Sequence, residues 1–194
     1  MKTRTTIAAA ALWAAAVVLT AGEPARFTPA GADVTIKGTS TIHEWQMRGA
    51  TISGAIETDP ESWKGDGQKS AWVRVAIPVA SIRSEHERMD RLMREALKAT
   101  ANPQIQYEMT SASLVGSAGD AFVVRAGGKL TIAGTTRDVT MDIKVVRDGE
   151  RYVLTAETPI RMSDFGIKAP VAMMGTIKTA DQVTVSFRWT VSRS

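Results

Sequence analysis

The stretch DQVTVSFRWTVS, residues 181–192, alternates apolar and polar side chains without interruption. Successive side chains of a β-strand point to opposite faces, so this period of two predicts a strand with one face toward a core. A helix would instead repeat its apolar residues every three or four positions. The apolar positions of the stretch are Val183, Val185, Phe187, Trp189 and Val191.

Similar alternation runs along most of the chain and predicts an all-β protein with about eight antiparallel strands. Asp148-Gly149 is a strong signal for a hairpin turn, and Gly127-Gly128 is predicted to form another turn. A closed barrel and a two-sheet sandwich are the two economical ways to bury one apolar face per strand. The alternation does not choose between them.

Side chains on the apolar faces of the strands would point at one interior if the sheet closes into a barrel. The candidate residues that line this interior are Val75, Ile77, Tyr107, Phe122, Leu130, Ile143 and Phe187. Tyr107, Phe122, Leu130, Ile143 and Phe187 are assigned to five different strands.

The segment DVTIKGTSTIHEWQMRG, residues 33–49, changes parity within what is predicted to be one strand. Val34 and Ile36 fall on one face, whereas Trp45 and Met47 fall on the other. Both pairs can face the core only if an extra residue enters between them. Gly38 is the predicted site of this β-bulge, because glycine inside a strand often marks one.

The segment SEHERMDRLMREAL, residues 84–97, has helical spacing instead and predicts one amphipathic helix at about Ser84-Leu97. Ser84 and Glu87 are predicted to form a capping box at its start. Asp90 is predicted to face water. The helix either covers an opening of the barrel or merely completes the core. Its apolar stripe comprises Met89, Leu92, Met93, Ala96 and Leu97.

The N-terminus has the layout of a secretory signal peptide: Lys2 and Arg4, an apolar run, then small residues. We therefore expect residues 1–21 to be removed and residues 22–194 to form a single domain. The formal net charge then falls from +4 to +2, so the sequence does not show the excess of basic residues that is typical of nucleic-acid-binding proteins. The apolar run is too short for stable membrane insertion.

Several motifs resemble those of the YceI-like family of exported lipid-binding proteins. GKLTIAGTTRDV (residues 128–139) resembles the family's strand, glycine turn and second strand. NPQIQY (residues 102–107) and DFG (residues 164–166) agree with it. GTSTIHEW (residues 38–45) resembles a GTS-x-x-H-x-W branch of the family. The resemblance extends over about residues 30–191.

The resemblance implies a lipocalin-like, eight-stranded antiparallel barrel whose cavity holds an isoprenoid-type lipid, either polyprenyl or quinone-like. The protein would then be a periplasmic or secreted carrier or scavenger. The alternative is an exported interaction or structural module with a filled barrel and no ligand. His43 and Trp45 are candidates for contact with a lipid head group at the mouth, and the alternative for His43 is a satisfied core histidine bonded to a hydroxyl or carbonyl.

The sequence favours binding over catalysis, so an enzyme is not expected. The chain contains no cysteine and only two histidines, which leaves no thiol chemistry and little material for a metal site. Ser40 and His43 would have opposite parity on one strand, which argues against a catalytic pair, and no nucleophile elbow surrounds the serine. We expect no metal and no cofactor. The sequence does not indicate an oligomeric state.

Overall fold

Eleven strands and one α-helix make up the part of the chain that this computed structural model describes, namely residues 24–59, Trp63, Lys69 and residues 71–194. The predicted signal peptide lies outside these residues. The helix α1 spans Glu87–Ala96. The strands are β1 (Ala25–Ser40), β2 (Glu44–Gly49), β3 (Ser53–Thr58), β4 (Ala71–Pro78), β5 (Ile82–Arg83), β6 (Gln104–Ala118), β7 (Ala121–Ile132), β8 (Thr135–Asp148), β9 (Arg151–Arg161), β10 (Val171–Ala172) and β11 (Ile177–Arg193).

The strands form one antiparallel sheet that closes on itself. Each long strand pairs with the next long strand, and β11 pairs with β1 from Phe27 opposite Arg193 to Ser40 opposite Thr179. β2 and β3 both pair with β1 and together form one bent strand position, or stave, of the barrel wall. β5 continues β4 and pairs with β2, so β4 and β5 form the next stave. The barrel thus has eight staves, and the predicted eight-stranded antiparallel barrel with a single helix is confirmed.

The two ends of the barrel differ. At one end, which we call the helix end, α1 connects β5 to β6. The β1–β2 turn and the connection from β9 to β11 lie at the same end. At the opposite end, which we call the far end, β6 turns into β7 and β8 turns into β9. Gly149 occupies the second of these turns with a φ of 61°, which confirms the predicted Asp148-Gly149 hairpin.

The prediction of one bulged strand over residues 33–49 is wrong, because the segment is a hairpin of β1 and β2. Ile36 lies directly opposite Met47, so the two side chains share a face without an extra residue between them. Gly38 lies opposite Trp45 in the same ladder. A shift in register does occur just after Gly38, but it affects the pairing of β1 with β11.

The predicted turn at Gly127-Gly128 is also wrong, because β7 runs unbroken through both glycines. A Cβ atom on Gly128 would lie 2.5 Å from two ring atoms of Tyr107, so the glycine makes room for a neighbouring side chain. The turn comes later, at Ala133-Gly134, where both residues have positive φ. Phe122 and Leu130 therefore share β7, and the five residues assigned to five strands come from four.

The helix is shorter than predicted and begins differently. It spans ten residues, Glu87–Ala96, instead of about Ser84-Leu97. His86 occupies the N-cap position and no side chain caps the helix, so the predicted capping box with Glu87 is wrong.

Asp90, predicted to face water, is 6% exposed, and this prediction is wrong too. The backbone amide and the hydroxyl of Ser84 each donate to Oδ1 of Asp90 at 2.7 Å. Burial alone raises the pKa of Asp90, but the two hydrogen bonds and the charges of Arg83 and Arg94 outweigh it, so the pKa is lowered. Through these hydrogen bonds the ionised carboxylate holds the start of α1 against the preceding segment of the chain.

The ladder between β8 and β9 covers only the far half of the barrel. It joins Lys144–Asp148 to Arg151–Thr155, and no further pairing of these two strands occurs in the described part of the chain. The segment after β9 lies against this gap: Nε of Arg137 donates to the carbonyl of Asp164 at 2.7 Å, and Phe165 is buried. The DFG motif therefore closes part of the wall where the strands separate.

Candidate ligand cavity

The barrel encloses a cavity of about 710 Å³. This volume lies within the range of about 300–1,000 Å³ that is usual for small-molecule sites. Inward-facing Val, Ile, Leu, Met and aromatic side chains from all eight staves line it. An apolar interior of this size is large enough to take up an apolar molecule and offers water few hydrogen-bond partners.

All nine candidate site residues of the sequence line this cavity. Whether they contact a ligand stays a prediction. The wall residues are Val75, Ile77, Tyr107, Phe122, Leu130, Ile143 and Phe187, and the residues nearer the mouth are His43 and Trp45.

The apolar stripe of α1 faces the cavity as well. All five of its side chains line the cavity, and each is half-buried. In the described residues, Ala96 and Leu97 pack against the buried cluster that contains Tyr107 and Phe165. The helix therefore covers part of the opening at the helix end, and the cavity lies directly beneath it.

Aromatic side chains seal the far end. The ring of Trp63 lies 5.9 Å from that of Phe122, and its Nε1 donates to Oγ1 of Thr58 at 2.7 Å. Phe27 and Tyr152 make an edge-to-face contact with ring centroids 5.4 Å apart. Such pairs fill space with little mobility. Among the described residues, these aromatic side chains therefore pack the far end of the cavity, so the helix end is the candidate entrance.

Two aromatic rings lie along the wall because glycines on neighbouring strands leave room for them. Tyr107 lies over Gly128, and Trp45 lies over Gly38. The indole Nε1 of Trp45 also donates to the carbonyl of Thr39 at 3.2 Å. A larger residue at either glycine would push the ring inward. These two glycine–aromatic pairs help to keep the interior open.

The hydroxyl of Tyr107 is buried and has no hydrogen-bond partner among the described residues. Burial raises its pKa to about 12, so the side chain stays neutral at physiological pH. Within the same part of the chain, the indole Nε1 of Trp189 is also buried without a hydrogen-bond partner. Both atoms are shielded from solvent, so the wall around them presents apolar ring surface to the cavity.

We expect Tyr107→Phe to stabilise the protein by about 1 kcal/mol, because it removes a buried hydroxyl that has lost its hydrogen bonds to water. The parent protein should lose stability above pH 10, the usual pKa of tyrosine, until the pH passes the raised pKa of about 12. The variant should lose less over this window. Urea titrations at neutral and alkaline pH measure both effects, with Tyr152→Phe as the control. A destabilised Tyr107→Phe protein would contradict the absence of a partner.

His43 lies in the turn between β1 and β2 and is exposed, so the alternative of a core histidine is wrong. Its Nδ1 lies 3.4 Å from Oγ of Ser40. The prediction that opposite parity would separate the two is therefore wrong. The amide of His43 donates to the same hydroxyl oxygen, and no carboxylate within hydrogen-bond range orients the ring among the described residues. The contact thus stabilises the turn and lacks the third group of a catalytic triad.

Among the described residues, no group of three or more His, Asp or Glu side chains is placed to hold a metal ion. The helix of the described part of the chain is neither long nor apolar enough to cross a membrane.

We did not predict from the sequence that the segment after β9 forms part of the cavity wall. Phe165 and Ile167 are buried and line the cavity next to the gap between β8 and β9. Pro159 lies inside β9 at this gap. Proline within a strand is typical of an edge, so this residue was the available signal.

Comparison with known proteins agrees with this architecture. Residues 26–191 match the family model described as the YceI-like domain. The protein YceI of Shigella flexneri is 33% identical over 104 residues, which are 50% of this chain and 52% of that protein. The chain thus spans about half the length of the curated relatives it matches.

Two solved structures share the fold. The crystal structure of Burkholderia cenocepacia BcnA is similar with a TM-score of 0.65 and 19% identity, covering 82% of this chain and 95% of that chain. A polyisoprenoid binding domain from Saccharophagus degradans, implicated in plant cell wall breakdown, is similar with a TM-score of 0.66 and 12% identity. That match covers 87% of this chain and 98% of the other.

Proposed function

The chain belongs to the YceI-like family, and on that premise we propose that it binds an apolar lipid of the isoprenoid type inside its barrel. The single observation that carries the proposal is the apolar cavity of about 710 Å³. Transfer of each CH₂ group from water into such an interior stabilises the complex by about 0.8 kcal/mol. A long hydrocarbon chain would therefore bind without any specific polar contact.

The isoprenoid class is supported by the structural neighbour from Saccharophagus degradans, which is described as a polyisoprenoid binding domain. The shape of the cavity supports the same class. It is lined from the aromatic floor at the far end to the stripe of α1, so a slender chain can lie along the barrel axis. A polyprenyl or quinone-like lipid has this form.

The runner-up is an interaction module with a filled barrel. A filled barrel would leave no cavity of this size, whereas the glycine–aromatic pairs at Gly38 and Gly128 help to keep the cavity open. We therefore favour a binding protein, a carrier or scavenger, over a structural module, and binding over catalysis. His43 and Trp45 would contact the polar end of the lipid near the mouth.

We further propose that the protein is exported, with a periplasmic or secreted mature form that begins near Gly22. Lys2, Arg4 and the apolar run that follows support this proposal. N-terminal sequencing of the protein from the extracytoplasmic fraction of its host tests it. A chain that retains Met1 and stays with the membrane would contradict it.

Uptake of a fluorescent isoprenoid analogue by the purified protein tests the binding proposal. We expect a saturable rise in fluorescence that an unlabelled polyprenol reverses by competition. Folded protein that produces no saturable signal would contradict the proposal and leave the interaction module as the better account.

A further inference from the structure

We propose that the helix end of the barrel docks on the surface of a lipid bilayer through an apolar rim formed by Ile42, Val171 and Met174. This inference rests on the proposed function, because it concerns how the lipid reaches the cavity. The partner that the rim contacts is the bilayer itself, and the protein binds at the bilayer surface without crossing it.

The three rim residues are large apolar side chains in contact with water. Ile42 is 61% exposed, Val171 is 57% exposed and Met174 is fully exposed. Ile42 and Val171 also line the cavity, so the rim borders its opening. Isolated exposed apolar residues are common, but a group of them around the opening of an apolar cavity indicates an interaction site.

Hydrogen bonds hold the two loops of the rim together. The amide of Thr41 donates to the carbonyl of Lys178 at 3.0 Å, and the hydroxyl of Thr41 donates to the carbonyl of Thr176 at 3.3 Å. Val171 pairs with Lys178 in the β10–β11 ladder. Ile42 and Val171 are thus attached to one strand at the same end of the barrel.

The charge of the rim loop that connects β9 to β11 favours a membrane over a protein partner with a basic surface. Residues 168–178 contain Lys168 and Lys178 and no acidic residue. Both lysines are exposed. Lysines beside exposed apolar side chains suit an anionic lipid surface, where the ammonium groups meet phosphates and the apolar groups enter the acyl boundary.

The position of the rim also solves a physical problem of loading. A long apolar lipid that crosses water exposes all its CH₂ groups, which is unfavourable. A barrel whose open end touches the bilayer lets the chain slide from one apolar environment to another. The far end is the poorer entrance, because among the described residues aromatic side chains pack it.

Transfer of a fluorescent isoprenoid analogue from vesicles of phosphatidylcholine and phosphatidylglycerol tests the inference. We expect Met174→Glu and Ile42→Glu each to slow transfer by about tenfold, because a carboxylate resists entry into an anionic interface. Val115→Glu is the matched control: Val115 is 50% exposed, but it lies toward the far end on β6. Its transfer rate should equal that of the parent.

A second assay offers the same analogue from dilute ethanol without vesicles. Met174 does not line the cavity, so Met174→Glu that keeps the parent's uptake here, while its transfer from vesicles slows, supports docking on the bilayer. Transfer from vesicles that is unchanged in the rim variants, or slowed equally in Val115→Glu, overturns the inference and leaves the proposed function intact. Uptake from solution without any transfer from vesicles by the parent also overturns it, in favour of loading by a partner protein. No uptake in either assay contradicts the proposed function itself.

Discussion

Val75→Trp is expected to abolish uptake of an isoprenoid analogue while changing the melting temperature of the empty protein little. Val75 is half-buried, lines the cavity and packs against both buried clusters of the barrel, so it lies at the waist of the interior. An indole there would occupy the path of the lipid chain. Because the cavity is open, the ring should find space without overpacking.

The control for this variant is Ala76→Trp on the same strand. Ala76 has the opposite parity and does not line the cavity, so the tryptophan should lie on the outer face and leave uptake unchanged. Fluorescence titration measures uptake, and thermal unfolding without ligand measures stability. A filled barrel gives the reverse pattern for Val75→Trp, with a stability loss of about 1–3 kcal/mol.

Gly128→Ala is expected to destabilise the protein by at least about 1–3 kcal/mol, the usual range for overpacking. The new methyl group would lie 2.5 Å from the ring of Tyr107 and 2.6 Å from the backbone carbonyl of Glu108. The ring can rotate inward, but the carbonyl belongs to the β6–β7 ladder and cannot move freely. The displaced ring should also narrow the cavity and weaken uptake of the analogue.

Gly116→Ala provides the same chemical change at an open site. A Cβ atom at Gly116 meets no atom within 4 Å, so this variant should be neutral or slightly more stable. Urea titration of both variants gives the free energies of unfolding. Equal, small effects would show that Tyr107 does not rest on Gly128.

The alternation of side chains predicted the strands and their inner faces because that pattern is local. A period of two assigns a side chain to one face without knowledge of the partner strand, and all seven wall candidates lie on inner faces for this reason. The closed barrel could not be derived from the same pattern, since a sandwich has identical alternation. The family resemblance supplied that choice.

The errors concern residues whose environment is created by distant parts of the chain. Gly128 resembles a turn residue, yet its small size accommodates Tyr107 from the neighbouring strand. Asp90 has the charge of a surface residue, yet Ser84 and the surrounding arginines stabilise it in a buried position. The β1–β2 turn contains Thr41, Ile42 and His43 without glycine or proline, so no local signal marked it.

Native mass spectrometry of the protein purified from its own host tests whether the barrel holds an apolar lipid. We expect a folded protein whose mass exceeds that of the chain by one lipid, which is released as an isoprenoid on mild activation. Val75→Trp purified in the same way should carry none. Parent protein that repeatedly shows only the mass of the chain, from cells that contain isoprenoid lipids, would contradict lipid binding in the barrel.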